Sequence, residues 1–78
     1  TLRSVNVSLA IDDLNTEVME SIVSLSEKFP GKHNLKFVVS DYDEGYRIPL
    51  RSRKFKINLD KAFIFQLKQI PYLEIRIN

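Results

Sequence analysis

The stretch VNVSLAIDDLNTEVMESIVSLSEKFPGKHNLKFVV, residues 5–39, decides the fold. Val5, Val7 and Leu9 alternate with Asn6, Ser8 and Ala10, the two-residue period of a half-buried strand. Asn15 stands before Thr16-Glu17-Val18, which reads as an N-cap with an acid in the first helical turn. Val18, Ile22, Leu25 and Phe29 follow at helical spacing, and Pro30-Gly31 ends the run. Leu35, Phe37 and Val39 then resume the alternation. Strand, capped amphipathic helix and strand define an architecture and hold no catalytic pattern.

Downstream, Asp41-Tyr42-Asp43-Glu44-Gly45 reads as a hairpin loop. Tyr46, Ile48 and Leu50 alternate with Arg47, Pro49 and Arg51 as a third strand. Pro49 lacks a ladder donor, which places that strand at an edge or beside a bulge. Arg51-Ser52-Arg53-Lys54 is expected to turn the chain before a short fourth strand, Phe55 to Ile57. Asp60 reads as the N-cap of a second helix running to about Ile70, with Leu59 and Ile64 as its hydrophobic staple. Pro71 stops it. Leu73, Ile75 and Ile77 alternate with Glu74 and Arg76 to the end. The expected fold is α+β, in the order β-α-β-β-β-α-β. It is a two-layer sandwich with a mixed, mostly antiparallel sheet and both helices on one face.

With 78 residues there is room for one domain, spanning 1–78, and one core. Its expected stability is a few kcal/mol, roughly 4–8. Cysteine is absent, which suits a reducing compartment such as the cytoplasm and removes disulfides from the account. No apolar run approaches the ~20 residues of a membrane span, and no signal-peptide pattern is present. A first residue of Thr1 rather than Met points to a fragment of a larger chain.

Catalytic and metal-binding patterns fail one by one. His33 is the single histidine, so neither a Ser/His/Asp arrangement nor a zinc site of nitrogen and sulfur ligands can be assembled. It reads as an exposed loop residue. Asp41 and Asp43 form a D-x-D pair, but Gly45 comes one position early for a calcium loop and Ser52 stands where its bidentate Glu belongs. Gly31-Lys32 lacks the upstream glycine and following hydroxyl of a phosphate loop. Glu17, Glu20 and Glu27 share the outward side of the first helix, an ordinary solvated face. The sequence therefore yields no catalytic residue, no cofactor and no metal ligand.

Two surfaces remain. The face of the sheet away from the helices is expected to carry Lys36, Arg47, Arg51, Lys54, Lys56 and Arg76, with Glu74 as its acid and Tyr72 as its aromatic. Net charge is only +2, from 12 basic and 10 acidic residues, so the asymmetry rather than the total draws notice. Such a face suits an acidic partner or a phosphate backbone, and equally a solvated face guarded against edge pairing. DNA binding through it lacks the stacked aromatics of RNA-reading sheets. On the second helix, Phe63, Ile64, Leu67 and Ile70 share one side, and Phe65 points away among Lys61, Lys68 and Gln69. An exposed aromatic there is a candidate anchor for a protein partner.

The series of motifs resembles a known family. It comprises Asp13-Leu14-Asn15-Thr16-Glu17, then Phe29-Pro30-Gly31-Lys32-His33-Asn34-Leu35-Lys36-Phe37, then Phe55-Lys56-Ile57 and a helix capped by Asp60. Leu73-Glu74-Ile75-Arg76-Ile77-Asn78 closes it. This order and spacing is similar to the extreme C-terminal domain of the bacterial DNA polymerase III alpha subunit, the replicative polymerase. The resemblance implies a cytoplasmic, non-catalytic tail of a DNA-directed DNA polymerase, a nucleotidyltransferase whose reacting centre lies upstream. It implies replisome assembly by docking to the clamp-loader tau subunit, beside neighbouring polymerase domains. The competing reading is a free-standing adaptor or nucleic-acid-binding domain of similar architecture.

Overall fold

Alternation becomes a ladder where β1 (Ser4–Ala10) runs parallel to β2 (His33–Asp41), pairing Val5 with Leu35, Val7 with Phe37 and Leu9 with Val39. The computed structural model describes residues 3–41 and 48–78, and the side chains of all of these except 48–52. A short 3-10 turn (Ile11–Asp13) leads from β1 to α1 (Thr16–Lys28), which makes the crossover a parallel pair requires. β3 (Ile48–Ile57) returns antiparallel to β2, and α2 (Lys61–Lys68) carries the chain to β4 (Glu74–Ile77), antiparallel to β1. The sheet order is β3-β2-β1-β4. The fold is therefore α+β, with one parallel and two antiparallel pairings.

Both helices start where a side chain satisfies an orphan amide. Asn15 Oδ1 accepts from the Val18 N–H at 2.9 Å, and Asp60 Oδ1 accepts from the Ala62 N–H at 2.8 Å. Val18, Ile22 and Leu25 of α1 and Phe63 and Leu67 of α2 are buried in one cluster with Val5, Val7, Leu9, Leu35, Phe37, Val39 and Ile57. A single cluster containing both stripes and one sheet face means that both helices cover the same face. Phe29 packs edge-on against Phe63, with ring centroids 5.8 Å apart, and joins the end of α1 to α2. Glu17, Glu20 and Glu27 are exposed, as their spacing predicts.

The strand count differs from expectation. The third and fourth strands are one, and Arg51-Ser52-Arg53-Lys54 continues the ladder instead of turning. Those polar residues lie in an edge strand paired with β2 on one side, and the exposed Arg53 and Lys54 give no two-residue alternation of burial to read. Arg53 stands opposite Phe37, on the helix side, yet is exposed, and its guanidinium lies 5.2 Å from the Phe55 ring centroid. Register shifts between Val39 and Ser40: Val39 pairs with Arg51 and Ser40 with Pro49. Pro49 thus occupies an edge strand beside an irregularity, both of which its missing N–H favours. The expected hairpin after Asp41, with Asp43, Gly45, Tyr46 and Arg47, falls outside the described residues.

The link from α1 to β2 is steric. Pro30 and Gly31 cross against the start of the β3–α2 connection, where the Asn58 N–H donates to the Phe29 carbonyl at 2.6 Å. A Cβ on Gly31 would lie 2.6 Å from the Ile57 carbonyl oxygen. Glycine serves close approach here, since its backbone is not in the left-handed region. The turn before β4 does use that region, with Tyr72 at φ 69°.

Candidate functional site

α2 has only eight residues, and its two buried side chains, Phe63 and Leu67, face the core. Phe65 lies between them in sequence and points away, 65% exposed. The structure places it in a groove of about 620 Å³ with Lys61, Ile64, Lys68, His33 and Ile77, and Arg3 at the rim. Phe65, Lys61 and Lys68 of the sequence-based anchor are thus brought together. Gln69 is not among them. It ends α2, its N–H donating to the Gln66 carbonyl at 3.1 Å, and lines a separate groove between the helices with Ser21, Ser24 and Ile70. Lys28 Nζ reaches Gln66 Oε1 across that helix pair at 3.4 Å.

Two groove residues escaped the sequence reading. His33 was expected in an exposed loop, but it is the first residue of β2 and half-buried. Its Nδ1 is buried and has no hydrogen-bond partner among the described residues. The Pro-Gly-Lys run before it suggested a loop, whereas pairing of His33 with Ile57 extends the ladder to that residue. Ile77 was expected among the inward, core positions. It lies on the inward side opposite Val5 but is 42% exposed, because α2 is too short to cover the outer end of β4. The groove thus combines two exposed apolar groups with three cations, Arg3, Lys61 and Lys68. Its one carboxylate, Asp60, is engaged in capping.

The opposite face of the sheet is a second surface. Lys36, Lys54, Lys56 and Arg76 are all exposed there, interspersed with Ser4, Asn6, Ser8 and Asn34. Arg76 pairs with Glu74 at 3.4 Å. Asn78 Nδ2 donates to Ser4 Oγ at 3.3 Å. Arg51 takes its register opposite Val39, two positions from Arg53, out of step with Lys54 and Lys56. Arg47 lies outside the described residues. Tyr72 does not belong to this face: it sits in the turn after α2 and lines a groove with Asn15, Glu17 and Pro71 on the helix side. Its left-handed backbone redirects it, and alternation counted back from Leu73 could not reveal that.

Among the described residues, no group of three or more His, Cys, Asp or Glu side chains is placed to hold a metal ion. No helix is long and apolar enough to cross a membrane. The features that distinguish this small two-layer domain are surfaces, one on each side of the sheet. The family model for the DNA polymerase III alpha subunit, C-terminal domain, matches residues 5–78, so the chain belongs to that family. No match was found among curated proteins or among solved structures. Membership sets the domain in the context of DNA replication.

Proposed function

We propose that this domain is the non-catalytic tail of a larger cytoplasmic replicative polymerase chain, and that it docks the polymerase to the tau subunit of the clamp loader. The groove beside α2 is the contact. The observation that carries this reading is Phe65, 65% exposed in a concave site rimmed by Lys61, Lys68 and Arg3. Exposing a phenyl ring on so small a domain brings no folding benefit, while an aromatic in a desolvated pocket is the commonest kind of interface anchor. The cationic rim selects a partner segment with acidic side chains around its apolar anchor. Family membership supports the replisome context, and neighbouring polymerase domains would flank the tail.

Titrating the 78-residue chain against tau tests this. Phe65→Ala should weaken binding by about 2 kcal/mol or more, roughly 30-fold in Kd, with little dependence on salt. Charge reversal at Lys36 or Lys54, on the far side of the sheet, should leave the affinity unchanged. Loss of binding on those reversals, with Phe65→Ala silent, would transfer the contact to the sheet and overturn the assignment.

A further inference from the structure

The open sheet face contains a charge arrangement that folding alone does not favour. Lys36 on β2 and Lys54 on β3 are direct cross-strand partners on this face, and Lys56 follows two residues along the same strand. Directly opposed like charges destabilise a sheet. Lysines on an edge strand are usual protection against unwanted pairing, which explains Lys54 and Lys56 on β3. That does not explain Lys36, because β2 is an interior strand with β1 and β3 on its two sides. All three lysines are exposed, and none has an ion pair among the described residues. Both helices pack on the other face, so among the described elements none covers this one.

We infer that this face is a docking surface for the phosphate backbone of duplex DNA, separate from the α2 groove. Three exposed lysines share one face of the sheet, and the polar residues Asn6, Asn34 and Ser8 between and beside them offer hydrogen bonds to phosphate oxygens. Duplex is favoured over single-stranded nucleic acid for a definite reason. Proteins that bind single strands stack bases on aromatic rings, and the described residues of this face include none. What remains is charge, and duplex DNA presents it most densely, about one per 1.7 Å of axis. Groove and lysines lie on opposite sides of the sheet, so a protein and a DNA duplex can be held at once.

The test measures the 78-residue chain binding a fluorescein-labelled 20-bp duplex by anisotropy at 50 and 200 mM NaCl. Three phosphate contacts give a slope of about −2.7 in log K against log salt, so affinity should fall about 40-fold across that range. The variant Lys36→Gln, Lys54→Gln, Lys56→Gln should lose at least 10-fold at 50 mM and have a nearly flat salt response. Its melting temperature should equal or exceed that of the wild type, because the opposed charges are gone. A second variant, Lys28→Gln, Lys32→Gln, Arg53→Gln, has the same net charge with its changes elsewhere. It should bind within about twofold of wild type. Equal losses in the two variants would reduce the effect to net charge and overturn the inference. So would tighter binding of a 20-nucleotide single strand than of the duplex, or no salt-dependent binding by the wild-type chain. Phe65→Ala should leave duplex binding intact, so failure here and failure of the groove assignment are read separately.

Discussion

Replacing Gly31 with alanine should damage this fold, although it adds a single methyl group at a loop position. The added Cβ would lie 2.6 Å from the Ile57 carbonyl oxygen and the Asn58 Cα, and 2.7 Å from the Asn58 nitrogen. Ordinary contact begins at 3.4 Å, so the two backbones must part by about 0.8 Å. All three obstructing atoms are main chain, so no rotamer change relieves the overlap. The same separation stretches the hydrogen bond from the Asn58 N–H to the Phe29 carbonyl, which is 2.6 Å long in the native fold. Overpacking costs about 1–3 kcal/mol and a weakened hydrogen bond about 0.5–1.5, which together give about 2–4 kcal/mol. A chain of this length has a total stability of roughly 4–8 kcal/mol. Urea unfolding followed by circular dichroism should therefore show a much lower midpoint at unchanged slope, with a melting temperature lower by roughly 8–30 °C. Exposed Lys32→Ala, one residue away, serves as the control. If Gly31→Ala unfolds within 0.5 kcal/mol of wild type, the close crossing that joins the end of α1 to the start of α2 is wrong.

Truncating Phe37 or Phe63 to alanine should cost about 3–5 kcal/mol, since each is fully buried in the shared core, and Ile22→Ala about 2–5. Chemical denaturation would show partial or complete unfolding, and a small change in all three would refute the arrangement of helices on one face. Asn15→Ala and Asp60→Ala should each lose about 1 kcal/mol by leaving a helix amide unsatisfied, with additive effects in the double variant. Ser26 is buried in α1 with its hydroxyl donating to the Ile22 carbonyl at 2.8 Å, a bond that offers α1 little support. Ser26→Ala should therefore leave the melting temperature unchanged or slightly raised, and a loss above about 1 kcal/mol would show that the hydroxyl matters.

Local physics made much of this fold legible in the amino-acid sequence. The alternation of β1 and β2, the Asn15 and Asp60 caps, the Val18-Ile22-Leu25 stripe and the Pro-Gly end of α1 depend on neighbours within a few residues, and each lies where its pattern predicts. The exposure of Phe65 was readable for the same reason, from the angle it makes with Phe63 and Leu67 on one helix. What required the tertiary structure depends on elements distant in sequence. Arg51 to Lys54 form strand rather than turn because β2, distant in sequence, supplies the ladder they pair with. His33 and Ile77 become part of a groove with Phe65 because the start of β2 and the end of β4 flank the start of β1 at one end of the sheet, beside α2. Lys36 becomes a like-charge partner of Lys54 only once the register of β2 against β3 is set. Gly31 is needed because Asn58, far along the chain, passes within 2.6 Å of where a side chain would begin. A residue's own sequence surroundings contain no record of which distant backbone will run beside it, and that contact decided the surfaces on which this domain's function rests.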